Sequence, residues 1–287
     1  MKGIILAGGL GKRLFPLTRN LSKQILPIYD KPMIYYPLSV LMLANIKDIA
    51  IIVKKEDYKM FNELLGNGSS LGIKIKYFIQ KKPNGLPEAF LICKNFIKNK
   101  KVMLILGDNI FYSNGIVEIL DKAKKNKGAT IFSYQVKDPS RFGILSLKAQ
   151  NKISSIIEKP KNSKSNLAIT GMYFFDENVN KYTEELNFSK RGELEIVDLI
   201  NIYLKKKKLN HSRLGRGFAW LDTGNFESLL EAGKFIEIIE KRQGLKIGCI
   251  EEIAFKKNFI TKKQTVDLIN SFPESDYKNY IRKILNE

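Results

Sequence analysis

The stretch GIILAGGLGKRLFPLTRNLSKQILP, Gly3 to Pro27, decides how the rest of the chain is read. Ile4-Ile5-Leu6 is a short uninterrupted apolar run, the pattern of a strand buried on both faces. It empties at once into Ala7-Gly8-Gly9-Leu10-Gly11. Without Cβ atoms, those glycines let backbone N–H groups approach a ligand that side chains would block. Lys12, Arg13 and, further on, Lys23 add positive charge around the bend. Donors and cations at a strand's end suit a polyphosphate. Two known phosphate loops do not fit. A P-loop needs Gly where Leu6 stands and Ser or Thr where Arg13 stands, and a dinucleotide fingerprint needs Gly where Leu14 stands. A glycine cluster after one strand is otherwise only a tight turn, so the decision falls to what surrounds it.

Leu6-Ala7-Gly8-Gly9, Gly11-x-Arg13-Leu14, Pro16-Leu17-Thr18 and Lys23-Gln24-x-Leu26-Pro27, in that order, resemble the opening signature of the sugar nucleotidyltransferases. The resemblance implies that Leu6, Gly8, Gly9 and Gly11 hold a nucleoside triphosphate, with Arg13 and Lys23 on its phosphates.

The chain of 287 residues is long enough to bury a large core without disulfides. Cys93 and Cys249 have no metal-ligand spacing and read as reduced core residues of a cytoplasmic protein. No signal-peptide pattern opens the chain, and no apolar run is long enough to span a bilayer. With 49 basic and 29 acidic residues, the net charge of +20 raises nucleic-acid binding as a function. Against it, the lysines are scattered in pairs and do not interleave with aromatics as a base-stacking surface would. A basic surface draws in anionic nucleotides and sugar phosphates equally well.

Downstream, Pro32–Ala44 has helical spacing, Ile49–Val53 is a buried strand, Tyr58–Leu65 a short helix stopped by Gly66-Asn67-Gly68, and Ile73–Ile79 a strand nearer an edge. Strand, helix, strand, helix, strand predicts right-handed crossovers onto a mainly parallel sheet. Gln80 to Ala89 joins that strand to a helix running to Ile97. Gln80 offers an amide that matches the N3–H and carbonyl edge of uracil or thymine, and the resemblance sets Gln80, Gly85 and Leu86 against the base. Pro87-Glu88 stands where relatives usually carry Ala-Gln. Val102–Leu106 is the most apolar strand, and Gly107-Asp108-Asn109 ends it, followed by a helix over Asn114–Lys125. A carboxylate there either caps a turn or holds Mg²⁺; the resemblance makes Asp108 a metal ligand.

The second half changes character. Ala129–Val136, Gly143–Leu147, Ile153–Ile157 and Ala168–Phe175 are strands with short connectors, an added β-rich part rather than βαβ units. The motifs at their ends resemble the sugar-phosphate half of the same family, which implies sugar-phosphate contacts from Gly143, Glu158, Lys159, Thr170 and, at the start of the next helix, Arg191. Ile157 replaces a glutamate common in relatives. His211, the only histidine, reads as structural. In Trp220-Leu221-Asp222-Thr223-Gly224, Trp220 reads as structural, and Asp222 with Thr223 as a helix cap. The resemblance makes Asp222 the second metal ligand. Tyr277, Tyr280, Ile281, Ile284 and Leu285 give the tail a helical stripe that should dock or mediate assembly.

The expected fold is therefore α/β: a Rossmann-like, mixed, mainly parallel sheet flanked by helices, with an added β-rich sugar-binding part and C-terminal helices. Residues 1–240 would form the nucleotidyltransferase domain and 241–287 a helical extension. The resemblance implies thymidylyl transfer from dTTP to glucose 1-phosphate with Mg²⁺, giving dTDP-glucose and pyrophosphate for deoxysugar synthesis of the dTDP-rhamnose type. Arg13, Lys23, Asp108 and Asp222 would carry catalysis, in a homo-oligomer (a tetramer). A UTP- or CTP-using relative and an inactive sugar-nucleotide-binding regulator are the alternatives.

Overall fold

Ile4 and Ile5 become the centre of a nine-stranded sheet. The computed structural model describes residues 1–149 and 152–287. Strand β1 (Lys2–Leu6) is followed by a small hairpin, β2 (Pro27–Ile28) and β3 (Lys31–Pro32). Then come α1 (Tyr35–Leu43), β4 (Asp48–Val53), α2 (Tyr58–Leu65) and β5 (Lys74–Ile79). Two short helices, α3 (Glu88–Ile92) and α4 (Lys94–Ile97), break at Cys93 where one helix was expected. They lead to β6 (Val102–Leu106), β7 (Asn109–Tyr112) and α5 (Ile116–Lys125).

The second half supplies β8 (Ala129–Gln135), β9 (Gly143–Leu147), β10 (Ile153–Glu158) and β11 (Leu167–Phe175). After them run α6 (Val179–Glu184), α7 (Ile196–Lys205), β12 (Leu209–Arg213) and β13 (Ala219–Asp222). The chain ends in α8 (Phe226–Gln243), α9 (Ile250–Lys256), α10 (Lys262–Asn270) and α11 (Asp276–Ile284).

The main sheet runs β10-β9-β11-β6-β1-β4-β5, with β8 paired to β11 and β12 to β8. Strands β6, β1, β4 and β5 are parallel, as the alternation of strands and helices requires. The added strands do not form a separate layer: β11 pairs antiparallel with β6, so they continue the same sheet. Alternation divides β1, β4 and β6 between two cores. Ile5, Ile49, Ile51, Met103 and Ile105 face one, while Ile4, Ala50, Ile52, Leu104 and Val102 face the other. Burial on both faces is why these strands read as continuous apolar runs.

Several local expectations shift. Asn225, not Asp222 or Thr223, caps α8 through a reciprocal bond with Ser228, which frees Asp222 for other work. Arg191 does not open α7; the helix begins at Ile196 and residues 191–195 form its approach. His211 lies on the unforeseen strand β12, its Nε2 2.7 Å from Ser133 Oγ, a structural position. The domain boundary expected at 240/241 falls inside α8, which closes at Gly244 in the left-handed conformation. The tail stripe docks on its own chain: Ile281, Leu285, Ile269 and Cys249 share one cluster, and α9 packs on α1.

Candidate active site

The chain leaves β1 for β4 and β5 on one side, then returns to place β6 on the other. This reversal opens a crevice beyond the carboxyl ends of β1 and β6, where open α/β sheets bind ligands. The two ends are tied by Gly107 N–H donating to the Leu6 carbonyl (3.0 Å). The glycine run follows directly and stays open to the crevice. Gly9 is exposed with nothing near the place of a Cβ, and Gly11 takes φ +60, which only glycine adopts cheaply. A cavity of about 230 Å³ lies there, bounded by Leu6, Gly9, Gln80, Gly85, Leu86 and Asp108. Gly8 is buried against Gln80, whose Oε1 sits 2.3 Å from where a Cβ would stand. The expected nucleotide residues Leu6, Gly9, Gln80, Gly85 and Leu86 are thus brought to one hollow, with Gly8 beneath it and Gly11 at the loop's far turn.

The two acids meet through an element the sequence did not announce. Strand β7 begins immediately after Asp108 and pairs antiparallel with β13, setting Asn109 opposite Asp222. Thr223 then closes on the Asp108 carbonyl through its N–H (3.2 Å) and hydroxyl (2.9 Å). Asn109 is the pin of this ribbon. Its Nδ2 donates to Asp108 Oδ1 (2.9 Å), and its Oδ1 accepts from Trp220 Nε1 (2.7 Å) and the Gly171 N–H (3.1 Å). Trp220 therefore has a structural task that fixes the geometry of the acid.

Lys23 is 6% exposed and its ammonium lies 2.6 Å from Asp108 Oδ2. Burial alone would raise the Asp108 carboxyl, but the adjacent Lys23 charge and hydrogen bond hold it below the usual range. Asp222 moves the other way: burial and then repulsion from Asp108 push it up, against Lys23, Arg141 and Arg13. Two neighbouring carboxylates, one of them raised by burial and by the other, form a donor set that a hard divalent cation would relieve. Two carboxylates completed by phosphate oxygens are what Mg²⁺ ordinarily takes. Among the described residues no cluster of three or more metal-ligating side chains occurs.

A second cavity, about 560 Å³, adjoins on the far side of Asp222 and is bounded by Arg13, Arg141, Gly143, Glu158, Lys159 and Asp222 among others. Gly143 and Glu158 are register partners in the β9–β10 hairpin, which brings both to one wall. Lys159 follows with φ +42, a conformation a lysine adopts only where its surroundings enforce it. Arg191 stands at the rim, held by Glu195 at 2.6 Å and Glu158 at 3.4 Å. Thr170 is a correction. On β11 the side chains of Ile169 and Tyr173 and the backbone of Gly171 face the cavity, so the two-residue period turns Thr170 to the opposite, fully buried face. Arg141 was missed as a site residue. It ends a turn capped by Asp138 and reaches Asp222 Oδ2 at 3.3 Å. Its only signal was its place in Arg141-Phe142-Gly143, at a strand end beside a residue already singled out.

Residues 2–238 match the family model described as nucleotidyl transferase. A glucose-1-phosphate thymidylyltransferase of Neisseria meningitidis is 49% identical over 288 residues, covering 100% of both chains. One of Mycobacterium tuberculosis is 45% identical over 285 residues, covering 99% of each. Among solved structures, a Bacillus anthracis protein assigned as a glucose-1-phosphate thymidylyltransferase, in complex with sucrose, superposes with a TM-score of 0.76. It is 40% identical and covers 82% of this chain and 94% of its own.

Proposed function

The chain belongs to the nucleotidyl transferase family, and we propose on that footing that it transfers the thymidylyl group of dTTP to glucose 1-phosphate, giving dTDP-glucose and pyrophosphate. One observation carries the reading: Asp108 and Asp222, joined by the β7–β13 ribbon, stand between a cavity floored by the glycine loop and a cavity walled by Glu158 and Lys159. The base and sugar of dTTP occupy the first, against Gln80, Gly85 and Leu86. Glucose 1-phosphate occupies the second, its hydroxyls on Glu158 and its phosphate on Lys159 and Arg191. Gly143 allows close approach of the sugar.

In the reaction an oxygen of the glucose phosphate forms a bond to the α-phosphorus of dTTP as the bond to the departing pyrophosphate breaks. That oxygen is already anionic at neutral pH, so no general base is needed, and catalysis is positioning and charge neutralisation. Arg13 and Lys23 steady the triphosphate, while Arg141 is placed by Asp222 to reach both substrates' phosphates. Mg²⁺, held by Asp108 and Asp222, would neutralise charge on phosphate oxygens.

The near-complete coverage of thymidylyltransferase relatives favours dTTP over UTP and CTP and favours an enzyme over a silent regulator. No helix among the described residues is long and apolar enough to cross a membrane; a cytoplasmic location accords with two buried free cysteines. We infer a homo-oligomer, a tetramer by the family resemblance; the exposed Phe226, Leu230 and Ile238 on α8 offer apolar surface for association but set no subunit number. The test is pyrophosphate release with Mg²⁺, glucose 1-phosphate and each pyrimidine triphosphate, with dTDP-glucose identified by mass. Release with dTTP is expected; none with any triphosphate would refute the reading.

A further inference from the structure

We propose that Glu88 is a positioning residue for base selection, holding the Gln80 carboxamide so that its oxygen faces the nucleotide base. The inference rests on the reading that a pyrimidine triphosphate lies against Gln80. Glu88 opens α3, and its carboxylate gathers three N–H groups: Gln80 Nε2 at 2.7 Å, Asn84 Nδ2 at 2.8 Å and the Asn84 backbone at 3.3 Å. A carboxylate only accepts, so the amide of Gln80 must turn its nitrogen to Glu88. Turning it the other way would set the Gln80 oxygen against a carboxylate oxygen at hydrogen-bond distance. Chemistry alone therefore fixes the orientation of the amide.

With the nitrogen held, Gln80 Oε1 falls on the other side, over Gly8 and at the edge of the base cavity. Gly8 is needed for this: a side chain there would strike that oxygen. Gln80 is 5% exposed, so its amide cannot turn freely into water once Glu88 has taken the nitrogen. A fixed carbonyl acceptor accepts from the N3–H of thymine or uracil. Cytosine presents a lone pair at N3, which would oppose that oxygen. Glu88 therefore sets discrimination against CTP without touching the nucleotide, and it is indifferent to the thymine methyl, since thymine and uracil share N3–H. The pair Pro87-Glu88, a departure from the Ala-Gln usual at this point of the sequence pattern, leaves the chain with a charged and acceptor-only anchor.

The competing account is that Glu88 only staples the Asn84 turn and favours the first turn of α3. Steady-state pyrophosphate release by the full chain with dTTP, UTP and CTP separates the two, using Glu88→Met, Glu88→Gln and Asn84→Ala. In Glu88→Met the amide is released, and the dTTP-over-CTP ratio of kcat/KM narrows by roughly tenfold or more, the scale of one hydrogen bond to a charged group. The dTTP-over-UTP ratio stays fixed. Glu88→Gln, whose amide can still accept from Gln80, falls between. Asn84→Ala, which removes the staple and keeps the anchor, leaves both ratios as in the wild type. Equal losses with all three triphosphates, or narrowing in Asn84→Ala as large as in Glu88→Met, would overturn the proposal. Should Glu88→Met fold poorly, the Glu88→Gln ratio decides by itself. If the wild type uses no pyrimidine triphosphate, the functional reading fails first and this inference with it; if it uses dTTP and the ratios do not move, only this inference fails.

Discussion

Replacing Lys23 by Met tests the buried pair at the centre of the site. The Lys23 side chain is 7% exposed and Asp108 25%, with 2.6 Å between ammonium and carboxylate. At that separation and an effective dielectric near 20 the gross attraction is about 6 kcal/mol. The net loss is smaller, because both charges have already been taken from water. Removing one member of a buried pair costs about 3–5 kcal/mol, and the partial exposure of Asp108 places Lys23→Met near the lower end. The pH dependence has a definite sign. The Asp108 carboxyl is held below its ordinary 3.8, so its stabilising contribution is complete at neutral pH and is lost as pH falls through the lowered value. Urea unfolding at pH 7 should therefore show a loss of about 3 kcal/mol in Lys23→Met. Adding Asp108→Asn, which removes the stranded charge, should recover a large part of it, giving strong non-additivity. A Lys23→Met protein within about 0.5 kcal/mol of wild type, or strict additivity in the double variant, would refute the reasoning.

Other perturbations address the site's supports. Gly171→Ala would place a Cβ 2.4 Å from Asn109 Oδ1 and dislodge the residue that holds Asp108; stability should fall by about 1–3 kcal/mol, with pyrophosphate release falling as well. Equal melting temperatures would contradict this. Arg191→Ala should raise KM for glucose 1-phosphate by roughly tenfold with kcat little changed; an unchanged KM for the sugar phosphate would remove Arg191 from the substrate site. His211 is held below its ordinary 6.5 by burial and then by Arg213. The folded state thus binds fewer protons than the unfolded one, and stability present above pH 6.5 is lost as pH falls below it. Unfolding free energies between pH 7 and 5 should fall more steeply in the wild type than in His211→Gln; parallel curves would show that His211 does not titrate as described.

The parallel half of the fold was legible because β1, β4 and β6 are buried on both faces and therefore apolar throughout, and because the helices that follow them are apolar at helical spacing, α2 and α5 along one stripe and α1 nearly all round. Strands β8 to β11 were legible one by one, yet their union with the main sheet was not, since the β11–β6 pairing joins residues far apart in the sequence. The glycine loop and the aspartates could be named from their motifs. What brings the aspartates together could not: β7 has only four residues, Asn109–Tyr112, and gains its partner β13 a hundred residues later. Long-range contacts of the same kind hid Arg141 beside Asp222 and Lys23 upon Asp108. Thr170 was misplaced for a different reason. The motif Thr170-Gly171-Met172-Tyr173 identifies a strand at the site, but only the register of β11 shows that Gly171 and Tyr173, not Thr170, look into the cavity. Glu88 was visible as a departure from pattern, whereas its grip on Gln80 required both side chains in place.

The central claim is that Asp108 and Asp222 act together on one nucleotide-bound divalent cation. The most direct measurement is the Mg²⁺ dependence of pyrophosphate release from dTTP and glucose 1-phosphate in wild type and Asp222→Asn. That variant removes the charge, keeps the shape and relieves the burial of charge and the repulsion from Asp108 that raise the carboxyl. The account predicts a folded protein, no less stable than wild type, whose rate falls by about a hundredfold or more and whose Mg²⁺ requirement shifts to higher concentration. A variant that keeps the wild-type rate and the wild-type Mg²⁺ response would contradict it.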